Sequence, residues 1–304
     1  MITVLSGGVG AARLLSALVS VTDPTEICAV VNVGDDFVLH GLTICPDIDT
    51  ITYTLTGRAN EEIGWGRRGE TWRTMTALGE LGGETWFALG DQDLATHLYR
   101  TQRLDEGATK SEVTREISSR LGVPVTLLPV TDDPLATLVD TESGPLDFQD
   151  YFVRHRHDVA VTGVRFRGAI ASRPAPGVLE ALRGATRIVI APSNPFLSIE
   201  PILAVPGVRE VVSARRADVV AVSPLVAGRA LKGPAARLLD DLGFDVSCEG
   251  VADVYHEFIG TLVIDESDAD AAPAIEARGM DVRVTTTVMA DPDHARALAH
   301  AVLA

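Results

Sequence analysis

The opening of the chain constrains its fold most. A short apolar run, Ile2-Thr3-Val4-Leu5, meets a turn, Ser6-Gly7-Gly8-Val9-Gly10, and then a stretch with Leu14, Leu15 and Leu18 spaced for one face of a helix. A strand that runs straight into a helix leads towards a parallel neighbour rather than a hairpin partner. A second strand is expected over residues 27–31, ending in Asn32-Val33-Gly34-Asp35-Asp36. Further apolar runs at 125–129, 187–191, 219–222 and 262–264 alternate with helical patterns at 72–81, 93–103, 111–121, 235–242 and 294–303. This alternation predicts an α/β fold with a doubly wound, mainly parallel Rossmann-like sheet. At 304 residues and 46% hydrophobic, the chain can bury a large core, and it reads as a single α/β domain over residues 1–304. The rhythm breaks from about residue 137 to 177, a stretch rich in aromatic, Arg and His residues. A small inserted β-rich or helical elaboration is expected there, with short strands at 148–153 and 159–164.

Composition narrows the function. A net charge of −16 excludes an extended nucleic-acid surface, which needs dense Lys and Arg. No segment approaches the roughly 18 apolar residues of a membrane span, so neither nucleic acid nor membrane is an expected partner and the cytoplasm is the expected location. Cys28, Cys45 and Cys248 have no paired spacing, which argues against a disulfide framework or a CxxC zinc site. Lys110 and Lys232 stand against 24 arginines, so an anionic ligand must be met by Arg, by backbone N–H groups or by a metal. There is no G-x-S-x-G, H-E-x-x-H or Walker A sequence.

Four segments carry candidate chemistry. Gly7, Gly8 and Gly10 let backbone approach a phosphate at a helix N-terminus, with Arg13 one turn further on, although such a turn also joins strand to helix with no ligand. Asp35, Asp36, Asp47 and Asp49 crowd into 15 positions, a suitable oxygen set for Mg²⁺ bridged to substrate phosphate; the competing reading is that Asp35 caps a turn and Asp47 a helix opening at Thr50. Asp91 and Asp93 stand at a helix start, with His97 on the same face as Asp93. Ser193 and Asn194 follow the apolar run at 187–191 and suit hydrogen bonds to a base, ribose or phosphate. All four follow strands or begin helices at what should be one edge of the sheet. His155 and His157, in an Arg-His-Arg-His run, read as ordinary surface residues.

Taken together, Leu5-Ser6-Gly7-Gly8-Val9-Gly10, Asn32-Val33-Gly34-Asp35-Asp36, Cys45-Pro46-Asp47-Ile48-Asp49-Thr50, Leu89-Gly90-Asp91-Gln92-Asp93-Leu94-Ala95-Thr96-His97 and Ala191-Pro192-Ser193-Asn194-Pro195 resemble the 2-phospho-L-lactate transferase family of deazaflavin coenzyme F-420 biosynthesis. The resemblance continues to Met289-Ala290-Asp291-Pro292 and spans essentially the whole chain. It implies transfer of a phospholactyl or phosphoenolpyruvyl group from a GDP-activated three-carbon acid to the deazaflavin Fo, releasing GMP. It further implies that Asp49 contacts Fo and orients or deprotonates the attacking hydroxyl, that Asp35 with Asp49 or Asp47 holds Mg²⁺, and that Ser193 and Asn194 serve guanosine. Ala88 stands where archaeal relatives have a lysine, so a lysine contact to Fo is absent, and Arg13 replaces a lysine found in some relatives. Trp65, Trp72 and Trp86 are candidates for the flat apolar surface a tricyclic ring needs. The competing class is a nucleotide- or sugar-nucleotide-binding regulator that shares the opening turn without transferase chemistry. A homodimer is the default expectation for assembly.

Overall fold

The computed structural model describes residues 1–231 and 233–304. Seven parallel strands form the central sheet in the order Asp281–Thr285, Thr261–Asp265, Val219–Val222, Arg187–Ile190, Ile2–Ser6 (β1), Ile27–Val31 (β2) and Thr126–Pro129. Every residue of β1 and β2 is buried, as strands covered by helices on both faces require. The chain winds from β1 to β2 and on to Thr126–Pro129 in one direction, then returns to the other side of β1 at Arg187–Ile190 and continues outward. Leu5 pairs with Val30 on one side and with Ile190 on the other, so three strands end level. That reversal of winding is where an open α/β sheet leaves a crevice beyond its strand ends.

The helices that frame this crevice follow from the patterns already described. Gly8–Val21 (α1) buries Leu14, Leu15 and Leu18 together with Ala11, Ala12 and Ala17. It packs on Pro46–Leu55 (α2) and on the closing helix Pro292–Leu303. Arg73–Glu80 (α3), Asp91–Asp105 (α4) and Lys110–Leu121 (α5) complete the half of the molecule that follows β2. Among the described residues, no helix is long and apolar enough to cross a membrane.

Two expectations are corrected, and one strand is added to those expected. The helix expected to open at Thr50 begins at Pro46, because proline suits the first helical position, where its missing N–H costs nothing. Asp47 and Asp49 therefore lie inside the first turn rather than before it. The edge strand Asp281–Thr285 escaped notice because it alternates polar and apolar residues and never forms an apolar run. In the elaboration, Ala136–Thr141 pairs antiparallel with Gly144–Asp147 and with Gly163–Arg167, while Asp150–Arg154 is a helical turn in place of the strand expected over 148–153. Phe148 and Phe152 stack at 5.4 Å there, a four-residue spacing that belongs to a helix. The elaboration is tied to the crevice by Thr137 N, which donates to the Gly34 carbonyl at 2.7 Å, and by Gln149 Nε2, which donates to the Asp35 carbonyl at 3.1 Å.

Candidate active site

The glycine turn is held from several sides. Gly8 has φ +70°, a conformation that costs any residue with a Cβ, and a Cβ on Gly10 would lie 2.2 Å from the Pro192 carbonyl oxygen. Ser193 Oγ donates to the Gly7 carbonyl at 2.7 Å, and a Cβ on Gly7 would meet both Ser198 and the Asp47 carboxylate. Glycine is thus required here by close approach, whatever ligand is present. The first N–H groups of α1 have no partner within their own helix, and one of them, Gly8 N–H, donates to Asp47.

Asp47 brings the turn and the acidic segment together. Asn32, at the end of β2, donates through Nδ2 to Asp47 Oδ2 at 2.9 Å and to Asp35 Oδ1 at 3.4 Å, and its Oδ1 accepts from Gly34 N at 2.7 Å. Burial pushes the Asp47 carboxyl up to about 7 against the opposing bonds from Asn32 and Gly8. Burial, and then the neighbouring Asp47, push Asp35 well above the usual carboxylate range. Two buried carboxylates with only a shared amide between them form a site whose charge is under-compensated, and oxygen donors of this kind suit a hard divalent cation. Asp36 is a separate matter: it pairs with the half-buried Lys110, whose Nζ lies 2.5 Å from Oδ2.

Asp49 faces the other way. Both of its oxygens accept from Arg100 on α4, with Nη1 at 3.0 Å from Oδ2 and Nη2 bonded to Oδ1. Arg100 is 2% exposed; burial works against its charge, but Asp49 beside it keeps the guanidinium protonated above its already high ordinary range. Removing either partner would strand a buried charge, at a cost of roughly 3–5 kcal/mol. His97 lies with Nδ1 3.7 Å from Asp49 Oδ2 and Nε2 3.4 Å from Asp93 Oδ2. Asp93 Oδ1 accepts from the Tyr53 hydroxyl at 2.6 Å, and the same hydroxyl lies 2.8 Å from Thr96 Oγ1. Burial raises the Asp93 carboxyl, but His97, Tyr53 and Arg100 outweigh it and hold it below the ordinary value. Among the described residues, Asp49, Asp93 and His97 are the set of three or more ligand-type side chains whose donor atoms lie within 4.8 Å of one another.

The structure therefore brings Gly7, Gly8, Gly10, Asp35, Asp47 and Ser193 into one neighbourhood and Asp49, Asp93 and His97 into another, joined through the first turn of α2. Asn194 caps the helical turn that follows it, its Oδ1 accepting from Phe196 N and Leu197 N, while its Nδ2 is buried without a hydrogen-bond partner. Asp91 is drawn elsewhere: it accepts from Arg73 N, Thr74 N and Thr71 Oγ1 and so caps α3 from outside. Arg13 is exposed on α1. Trp65 and Trp72 meet edge to face at 5.7 Å and are both exposed, whereas Trp86 packs on Phe37 and Phe87 beneath the Arg154 guanidinium. The sequence reading missed Asn32, Tyr53, Arg100 and Lys110. Arg100 had a signal, because it lies seven residues after Asp93 and three after His97, on one helix face.

A profile of the family described as "2-phospho-L-lactate transferase CofD" matches residues 2–304. The chain belongs to that family. A phosphoenolpyruvate transferase of Kitasatospora aureofaciens is 42% identical over 100% of this chain and 97% of its own length. A 2-phospho-L-lactate transferase of Methanothermobacter thermautotrophicus is 41% identical over 95% of this chain and 92% of its own. A solved Bacillus halodurans protein shares the fold alone, at a TM-score of 0.67 and 18% identity over 100% of this chain and 99% of that chain. The named relatives are transferases, so this member of the CofD family is an enzyme and the regulator reading is not favoured.

Proposed function

We propose that the protein transfers a phospholactyl or phosphoenolpyruvyl group from a GDP-activated three-carbon acid to a ribityl hydroxyl of the deazaflavin Fo, releasing GMP, as a cytoplasmic step of coenzyme F-420 biosynthesis. The observation that carries this reading is the meeting of Asp47 with the glycine turn at the winding reversal of the sheet, in a chain matched to the family from end to end. The hydroxyl oxygen bonds to the phosphorus bearing the acid, the anhydride bond to the guanylyl phosphate breaks, and GMP leaves. Unpaired N–H groups at the start of α1 bind the diphosphate. Asp35 and Asp47 would hold Mg²⁺, which when bound offsets charge on the diphosphate. Asp49 orients the hydroxyl and takes its proton, while Ser193 and Asn194 face the guanosine.

The relatives named for the two donors match this chain at 42% and 41% identity, so both donors belong in the assay. Purified protein given Fo, Mg²⁺ and each GDP-activated acid is expected to release GMP and to alter Fo fluorescence. Chelation with EDTA should stop turnover, and added Mg²⁺ should restore it. Absence of GMP with both donors overturns the transferase reading; undiminished turnover in EDTA overturns the metal.

A further inference from the structure

Arg100 sits where a cation at Asp49 is expected. Its Nη1 and Nη2 take both Asp49 oxygens, and the same Nη1 lies 3.2 Å from His97 Nδ1 and 3.4 Å from the Thr43 carbonyl. A guanidinium has donors and no acceptor, so in this contact His97 Nδ1 is the acceptor, while Nε2 lies 3.4 Å from Asp93 Oδ2. Asp93 is fixed from behind by Tyr53, which comes from the same helix as Asp49. The result is a row of contacts between α2 and α4 running Asp49, Arg100, His97, Asp93 and Tyr53, in which His97 and Asp93 approach to 3.4 Å without a hydrogen bond, with Asp93, His97 and Arg100 supplied at positions i, i+4 and i+7 of one helix.

We propose that Arg100 is the positioning residue of the transfer site: it is the resident cation of Asp49, fixes that carboxylate in one orientation, and leaves Asp35 and Asp47 as the carboxylates open to a divalent ion. The bidentate contact uses two of the roughly four lone-pair directions of the carboxylate and leaves the others for an acceptor hydroxyl. A divalent ion at Asp49, Asp93 and His97 would have to lie against the guanidinium, which cannot give up its charge. The assignment rests on the reading of Asp49 as the group that meets the hydroxyl.

The test pairs kinetics with metal binding. Arg100→Ala is expected to lower kcat about 100-fold, the scale of a carboxylate misplaced by about an ångström, while KM for the GDP-linked donor changes little. Guanidinium added to that variant should recover part of the lost rate, a response that a purely structural defect does not give. Arg100→Lys keeps the charge without the fork and should remain slow; it carries the kinetic test if Arg100→Ala fails to fold. Mn²⁺ titrated into the protein, read by its electron-spin signal, should bind the wild type, Asp49→Asn and Arg100→Lys alike and bind Asp35→Asn weakly. Wild-type kcat in Arg100→Lys, or loss of Mn²⁺ binding in Asp49→Asn, overturns the proposal. A wild-type protein that makes no GMP overturns the transfer reading instead, and the Mn²⁺ comparison still decides which carboxylates take the ion.

Discussion

Asn32 Nδ2 lies 2.9 Å from Asp47 Oδ2, so one amide at the end of β2 holds the first turn of α2 through the same carboxylate that Gly8 N–H meets at the glycine turn. Hydrogen bonds to a charged acceptor are worth more than neutral ones, and a buried carboxylate that loses its donor bears its own desolvation. Asn32→Ala is therefore expected to cost about 1–3 kcal/mol of stability, measured by urea unfolding of the ligand-free protein. A midpoint unchanged from wild type would show that the amide does not hold the two elements.

The pH dependence of stability carries the mark of Asp47. An unfolded aspartate titrates near 3.9, and burial lifts the folded group to about 7. The folded state thus holds the proton more tightly, and the contribution is fully present below about pH 4 and is lost as pH rises towards 7. Ligand-free wild type should lose stability from this group between pH 5 and pH 8, whereas Asp47→Asn should lose less. Equal slopes in the two proteins, by denaturant titration at both pH values, would refute the assignment.

Gly10 and Gly8 should differ in their sensitivity to a single methyl group. A Cβ at Gly10 meets the Pro192 carbonyl at 2.2 Å, where backbone must move; at Gly8 it would meet only Asp47 Oδ1, at an ordinary 3.7 Å, and the cost is the positive φ, roughly 1–2 kcal/mol. Gly10→Ala is expected to lower the thermal midpoint more than Gly8→Ala and to abolish turnover. The reverse order would mean that the Pro192 loop is not held against α1.

Asp91 should matter to α3 rather than to chemistry. Its carboxyl is held down to about 2, chiefly by the hydroxyls of Thr71 and Thr74, with further help from the N–H groups of Thr74 and Arg73. This support for α3 persists until the pH falls below the ordinary aspartate range. In Asp91→Ala, amide hydrogen exchange at Arg73 and Thr74 should speed up while kcat stays near wild type. A large fall in kcat would instead place Asp91 at the substrate.

The sheet was readable because its inner strands are buried on both faces and so spell uninterrupted apolar runs, as in Ile27–Val31 and Val219–Val222. The edge strand and the strand positions within the elaboration were not, because half-exposed strands share their composition with loops. Within the site, carboxylates announce themselves by crowding, and Asp35, Asp47 and Asp49 were all visible. Their partition was not. Asp47 and Asp49 are two residues apart in sequence, but α2 turns them through about 200°, so that one meets Asn32 and the other Arg100. Such partners come from strands and helices distant in the chain, and only the assembled fold selects them.

The bond from Ser193 to the Gly7 carbonyl joins residues 186 positions apart. The glycine turn is thus completed by a segment that leaves the ribosome only after a long intervening stretch of chain, and β1 waits almost as long for its neighbour Arg187–Ile190. Contacts this distant in sequence are slow to form. During that interval β1 presents a bare apolar edge, the kind of surface on which nascent chains aggregate. The same long-range closure that holds the glycine turn makes this enzyme depend on late folding, and truncated products should be cleared rather than accumulate as partly active fragments.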